Sequence, residues 1–216
     1  RSEARSLTMR FRSSWKSSGI ERAMSVEYFN ATGTEEFHLN GAIEVQGGSS
    51  DTRWNTDKLS LQLKFKSPYG PKDLEYPVFG SALFGEGATS EFDTLLLDAQ
   101  FNYTWLHQNA AQNSVARYVQ DQVASDLQNL VSNQSGAAPH GRWVHLYLNG
   151  KYWGIYNLHE KVGDSYAAEY FGGDKDNWDV IKHSASNWSD GGVTAVGNYA
   201  ALLNTIDNDL SVHSNY

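Results

Sequence analysis

The residues best placed to do chemistry lie in one stretch: Gly47-Gly48-Ser49-Ser50, followed by Lys58 at the head of the alternating run KLSLQLKFK. A glycine-serine loop exposes backbone N–H groups to which an anion can come close, and a nearby lysine supplies compensating charge. Phosphate binding is the chemistry such a pair can perform. Spacing alone favours a plainer account, a hairpin turn followed by solvated lysines on the outer face of a strand. Other reactive patterns are missing. The sequence has no Gly-x-Ser-x-Gly, no cysteine and no His-Glu-x-x-His. The glycine-serine loop also lacks the Gly-Lys-Ser/Thr ending of a P-loop. The seven histidines are scattered, and His159-Glu160, adjacent on an extended segment, point opposite ways. No histidine metal centre is read from this pattern.

The elements that would position these residues follow from periodicity. Ala23 to Phe29 alternates as a strand, and Phe37 to Gln46 forms a second strand region interrupted at Asn40-Gly41. In Lys58 to Lys66, Leu59, Leu61, Leu63 and Phe65 share one face, with Lys58, Ser60, Gln62 and Lys64 on the other. Residues 67–87 are rich in Gly and Pro and read as an irregular surface excursion, and Phe92 to Leu97 as a buried strand. Apolar residues at 116, 119, 123, 127 and 130 predict one long helix over Asn109 to Val131. Val144 to Leu148 and Tyr152 to Leu158 flank Asn149-Gly150, the dipeptide best suited to a tight type I′ hairpin. A helix over Asp164 to Phe171 ends at Gly172-Gly173, a strand covers Val180 to Lys182, and a last helix covers Tyr199 to Leu210. The expected class is α+β, with a twisted antiparallel sheet of about five strands and one long helix packed across it. The first fifteen or so residues read as a poorly ordered arm.

Composition narrows the partners. A formal net charge of -8 argues against nucleic acid or an anionic membrane as the main partner. No apolar run reaches the roughly 18 residues needed to span a bilayer, and the polar, basic opening RSEARSLTMRFRSSWK has no apolar leader core. The absence of cysteine leaves no disulfide and no thiolate metal ligand. Asn30, Asn102, Asn133 and Asn187 each begin an Asn-x-Ser/Thr sequon.

Four segments carry a resemblance to a known family. They are MSVEYFNATG with GAIEVQGGSS, DKLSLQLKFKSPYGPKDLEYPVFG, ARYVQDQVASDLQNLV, and GRWVHLYLNGKYWGIYNLHEKV with DSYAAEYFG. In this order they closely resemble the CotH kinase family, atypical protein kinases named after the spore coat protein CotH. The resemblance runs from about Ala23 to about Leu203. It implies a protein-kinase-like N-lobe with its hinge over 23–163 and the start of a second lobe over 164–216, after an arm over 1–22. It also implies ATP with Mg²⁺, a protein substrate on a coat or cell surface, and a location outside the cell or in its envelope. Carried across by position, Gly47, Gly48, Ser49 and Ser50 match the phosphate loop, Lys58 the phosphate-binding lysine, and Glu160 the glutamate that ends the hairpin near the hinge.

This chain departs from the family pattern where charge matters. Gln46 and Gln62 stand where arginine is usual, Leu59 replaces a second lysine, and Asp98 occupies a position that tends to be arginine. The helix after the lysine strand has no glutamate; Asp121 and Asp126 are the acids available to partner Lys58, and Arg117 with Asp121 is equally an ordinary i,i+4 pair. No catalytic or metal-binding aspartate of a second lobe is identified, so the visible residues are expected not to transfer phosphate. Two other classes stay open. One is a secreted glycan- or surface-binding module, suggested by the aromatic content. The other is a degenerate kinase-like scaffold, suggested by the lost basic residues.

Overall fold

Side chains that alternate between apolar and polar leave water on one face of a strand only, and most of this molecule is built from such strands. A computed structural model describes residues 5–11, 19–47, 58–82, 84–105, 107–132, 136–181, 188–190, 192–208 and 212. The chain divides into two compact units, Arg1–Lys161 and Val162–Tyr216. The first contains β1 (Arg5–Phe11), β2 (Arg22–Phe29), β3 (Glu35–Gln46) and β4 (Ser60–Lys64). After them come the two-residue strands β5 (Leu74–Glu75) and β6 (Glu91–Phe92), then β7 (Thr94–Asp98), β8 (Gly141–Leu148) and β9 (Lys151–Glu160).

Seven of these strands close into a barrel in the order β1-β2-β3-β4-β7-β9-β8, while β5 pairs with β6 beside it. The pairings are antiparallel except that of β1 with β8, which is parallel and sets Leu7 opposite Leu146 and Met9 opposite Leu148. The fold is α+β as expected, but a mixed barrel replaces the expected antiparallel sheet of a kinase-like N-lobe. The difference starts in Arg5–Phe11. These residues, expected in a disordered arm, supply the closing strand, with Leu7 and Met9 buried in the core. A polar, basic surround hid a short alternation in the sequence.

The core is filled from both ends of the chain order: Val26 and Tyr28 on β2, Leu61 and Leu63 on β4, Leu95 and Leu97 on β7, Leu146 on β8, Tyr156 and Leu158 on β9. β3 runs unbroken through Asn40-Gly41, where an interruption was expected. A Cβ on Gly41 would lie 2.8 Å from the Lys64 carbonyl, so the glycine lets the two strands meet closely instead of breaking one. The Gly- and Pro-rich stretch after β4 is no mere surface excursion. Leu74, Val78 and Phe79 are buried, and the Phe79 ring meets Phe92 edge-on at 5.6 Å. At the β8–β9 turn Asn149 and Gly150 take φ of 50° and 80°, the positive pair that a type I′ turn requires.

The long helix expected over 109–131 is two helices, α1 (Ala110–Asn113) and α2 (Gln120–Ser132). The apolar stripe does not pack inward: Val123 and Leu127 are each 56% exposed. The helix is fastened by its polar face. Gln122 is buried, its Oε1 accepting from Asn157 Nδ2 at 3.1 Å and its Nε2 donating to Asp126 Oδ1 at 2.7 Å. Asn129 holds Ala138 through both main-chain groups, each at 2.9 Å. A satisfied buried amide outweighs the weak preference of an exposed apolar stripe, because an unpaired one would lose about 1–3 kcal/mol.

The second unit holds α3 (Asp164–Phe171), β10 (Val180–Ile181), β11 (Trp188–Asp190) and α4 (Gly192–Ile206). α3 keeps the bounds expected from sequence, ending where Gly172 turns to φ 80°. Beyond it Asp174 Oδ1 accepts from Asp176 N at 3.0 Å and caps a single 3-10 turn, and Trp178 Nε1 donates to the Gly172 carbonyl at 3.1 Å. Residues 174–179 thus form a structured loop leading into β10. The last helix begins at Gly192, earlier than expected, and Leu210 lies outside the described residues. Among the described residues no helix is long and apolar enough to cross a membrane.

The contrast between core and helix stripe is measurable. Leu61→Ala should lower the unfolding free energy in urea by about 2–5 kcal/mol, whereas Leu127→Ala should stay within about 0.5 kcal/mol. Equal losses at both positions would mean that the α2 stripe is packed after all.

Candidate functional site

Lys58 stands just before β4, where β3 ends in Gly47 at a φ of 95°. Gln46 faces Ser60 in the β3–β4 register, so Gly47 and Lys58 emerge at the same end of this strand pair. Gly48, Ser49 and Ser50 lie outside the described residues. The Lys58 ammonium donates to the Ile155 carbonyl at 2.8 Å and to the Tyr118 hydroxyl. Tyr118 OH donates to the same carbonyl at 2.8 Å, which closes a triangle of lysine, phenol and main-chain oxygen. Nζ also lies 4.9 Å from the Tyr118 ring centroid and 4.8 Å from that of Tyr156, within the range of cation–π attraction.

Removal from water disfavours the charged amine and lowers the Lys58 pKa to about 8, with the negative charge of Asp98 pulling the other way. The same burial raises Tyr118 to about 12, with Asp98 adding to the rise, and raises Tyr156 as well. Asp98 is itself fixed at the end of β7. Its Oδ1 accepts from Ser60 Oγ at 3.0 Å and from Gln100 N at 2.6 Å. Burial and then the Asp98 charge raise Asp121, in the first turn of α2. Asp126, the other acid considered for Lys58, accepts from Gln122 instead.

Glu160 is placed differently from Gly47 and Lys58. It is buried, and its Oε2 accepts from His140 N at 2.7 Å and lies 3.0 Å from His140 Nδ1. Along β9 it stands five residues beyond Ile155, on the order of 16 Å at the rise of a strand. Gln46 and Gln62, at positions where arginine was expected, bind each other through their side-chain amides. Lys64, on the same strand face as Lys58, is engaged by Glu44 and Glu21.

Sequence reasoning missed the aromatic surroundings. Trp105, 71% exposed, lies parallel to Tyr118 with ring centroids 6.3 Å apart, and Tyr118 stacks on Trp143 at 5.2 Å. The stretch that carries Trp105 and Tyr118 also lines an open pocket of about 470 Å³, through Asn102, Gln112, Val115, Arg117 and Gln120. Tyr118 was concealed inside a segment read as continuous helix, and a contact to a main-chain carbonyl leaves no trace in side-chain identity.

A family profile described as CotH kinase protein matches residues 43–209. The chain belongs to the CotH kinase family. No match was found among curated proteins. The CotH-matching span begins at Ile43, so β1, β2 and the first two-thirds of β3 complete the barrel from outside it. Gly47, Lys58, Tyr118 and Ile155 all fall inside.

The lowered Lys58 pKa has a definite sign. Between about pH 8 and the ordinary lysine value of about 10.4 the unfolded chain binds the extra proton, so this group's contribution to stability rises with pH across that window. NMR titration of the lysine side chains should show one amine titrating near pH 8, absent from Lys58→Met, and the variant should lose that part of the pH dependence of urea unfolding. A Lys58 signal that titrates with the other lysines would remove the buried-cation description.

Proposed function

We propose that this CotH-family chain binds ATP by its phosphates at the Gly47 end of the β3–β4 pair, in the service of protein phosphorylation at a coat or cell surface. The observation that carries the reading is Lys58 itself: a half-buried ammonium, on a residue that enters β4 at the end where β3 leaves at Gly47, held by a hydroxyl and a carbonyl. Both are neutral acceptors that an anionic oxygen outcompetes, because charge-assisted hydrogen bonds are roughly twice as strong as neutral ones. Gly47 to Ser50 supply backbone donors in this reading, and Arg117 in the neighbouring pocket is a second source of positive charge. Glu160, engaged with His140, acts in this reading by fixing the start of β8 against the end of β9.

The residues around Lys58 suit a triphosphate better than its metal. Asp98 is the carboxylate whose charge is felt at Lys58, and one of its oxygens already accepts two hydrogen bonds. Among the described residues no three-ligand cluster lies beside Lys58, and no step is assigned to Mg²⁺. Phosphoryl transfer needs metal, γ-phosphate and hydroxyl held in line. Nucleotide binding without transfer is therefore the activity proposed for these residues by themselves.

A second reading rests on the exposed Trp105 and its stack with Tyr118 and Trp143. Flat, open aromatic faces suit the apolar face of a sugar ring, which would make this a saccharide-binding surface. Fluorescence-detected binding separates the two. ATP should bind weakly, lose affinity with added salt, and bind at least about tenfold less well to Lys58→Ala, the equivalent of one charge-assisted hydrogen bond. Radiolabelled transfer from ATP should be absent. Affinity for ATP that survives Lys58→Ala sinks the phosphate-site assignment. Saccharide binding that is abolished by Trp105→Ala, with no ATP binding, favours the second reading.

A further inference from the structure

A bulge in β3 gathers three metal-binding side chains on the outside of the barrel. Tyr28 stands opposite Phe37 and Phe29 opposite Glu35, which leaves Glu36 as the extra residue. In a regular strand Glu35 and His38, three positions apart, would point to opposite faces. The extra residue turns Glu35 to the face of His38, and His38 stands directly across from Glu27 on β2. One ligand atom from each of Glu27, Glu35 and His38 lies within 4.8 Å of the others. Ser25 Oγ, 2.7 Å from His38 Nε2, fixes the imidazole. Glu36, displaced to the other side, pairs with Arg5. Among the described residues neither Glu27 nor Glu35 has an ion-pair partner, so two carboxylates face one imidazole with no side-chain cation between them.

We propose that Glu27, Glu35 and His38 bind one divalent transition-metal ion of the zinc class on the outer face of the β2–β3 hairpin. One imidazole and two carboxylates match the nitrogen and oxygen ligands that zinc takes, and three ligands leave a coordination position for water or an incoming group. Mg²⁺ is a poor fit, since it favours oxygen ligands in near-ideal octahedral geometry. The ion bridges two strands: His38 and Glu35 come from β3 and Glu27 from β2. It therefore ties the hairpin where the bulge loosens it, and stabilises the folded chain by mass action. The cluster lies at the opening end of β3, and Gly47 follows its far end, so this site is independent of the one at Lys58.

Calorimetric titration of the full chain, stripped with chelator and then supplied with ZnCl₂, tests the proposal. One ion should bind per chain, and MgCl₂ should give no comparable heat. Even partners that merely support a metal ligand are worth 10–100-fold in affinity, so His38→Ala and Glu35→Gln should each weaken binding by at least about tenfold. His145→Ala, elsewhere on the barrel, should leave it unchanged. Circular dichroism in chelator checks that each variant is folded, and a shift of the His38 ring signals at one equivalent of Zn²⁺ in the native chain is a readout that needs no variant. Absence of zinc binding at millimolar metal overturns the site. So does binding that persists in both ligand variants, or a His38 ring that does not respond.

Discussion

Closure of the sheet is the constraint from which the rest of the first unit follows. β1 enters between β2 and β8, antiparallel to one and parallel to the other, so neither is left as an open edge with a row of unpaired N–H and C=O groups. A barrel of this size is filled by its own side chains: Tyr28, Tyr156, Leu61 and Leu97 are fully buried. The closing strand is also locked by charge. Arg5 reaches Glu36 and Ser81, and Arg142 donates to Tyr28 OH at 2.9 Å and to the Val78 carbonyl at 2.7 Å. The buried loop after β4 thereby joins β1, β2 and β8, which explains why a stretch full of Gly and Pro carries core residues.

Where local chemistry decides conformation, the sequence was readable. Asn149-Gly150 demands positive φ, and the hairpin follows. Asp164 to Phe171 ends at a glycine that takes a positive φ, and the helix bounds follow. β2, β4 and β7 were visible in their alternation. What could not be read depends on partners distant in the chain. β1 has only a seven-residue alternation inside a basic stretch, and its pairing with β8 spans most of the unit. The stripe on α2 is a real helical periodicity, yet Asn157, about thirty-five positions away, binds Gln122 and turns the opposite face inward. Gly141 completes this arrangement: a Cβ there would lie 2.0 Å from Gln122 Oε1. Periodicity reports where apolar residues lie on a helix, and only tertiary contacts decide whether that face is buried.

The candidate sites divide in the same way. Lys58 and the glycine loop stood out because their residue types suit phosphate, and the structure brings Gly47 and Lys58 to one end of a strand pair. The rest of the Lys58 environment comes from Tyr118 and from a main-chain carbonyl on β9, which no motif encodes. Glu160 was singled out by its place at the end of a hairpin, and it proves to be the acceptor for a buried histidine. Glu27, Glu35 and His38 escaped notice because ordinary strand parity separates Glu35 from His38, and a bulge cannot be read from the residues on either side of it.

The replacements that set this chain apart from the usual CotH pattern act together rather than singly. Gln46 and Gln62 satisfy each other, so the loss of two arginines leaves no stranded polar group on the β3–β4 face. Asp98 is held by Ser60 and Gln100 N, and its charge partly restores the proton that burial would remove from Lys58. The ammonium is thus kept charged at neutral pH by an acid that also repels any phosphate drawn to it. The opposing charge felt at Lys58 is that of Asp98. The field of such a pair is short in range and readily screened, because beyond about 10 Å at 0.1 M salt it is lost. Under the proposed phosphate site, discrimination would come from contact geometry, namely the Tyr118–Ile155 triangle that a phosphate oxygen has to displace.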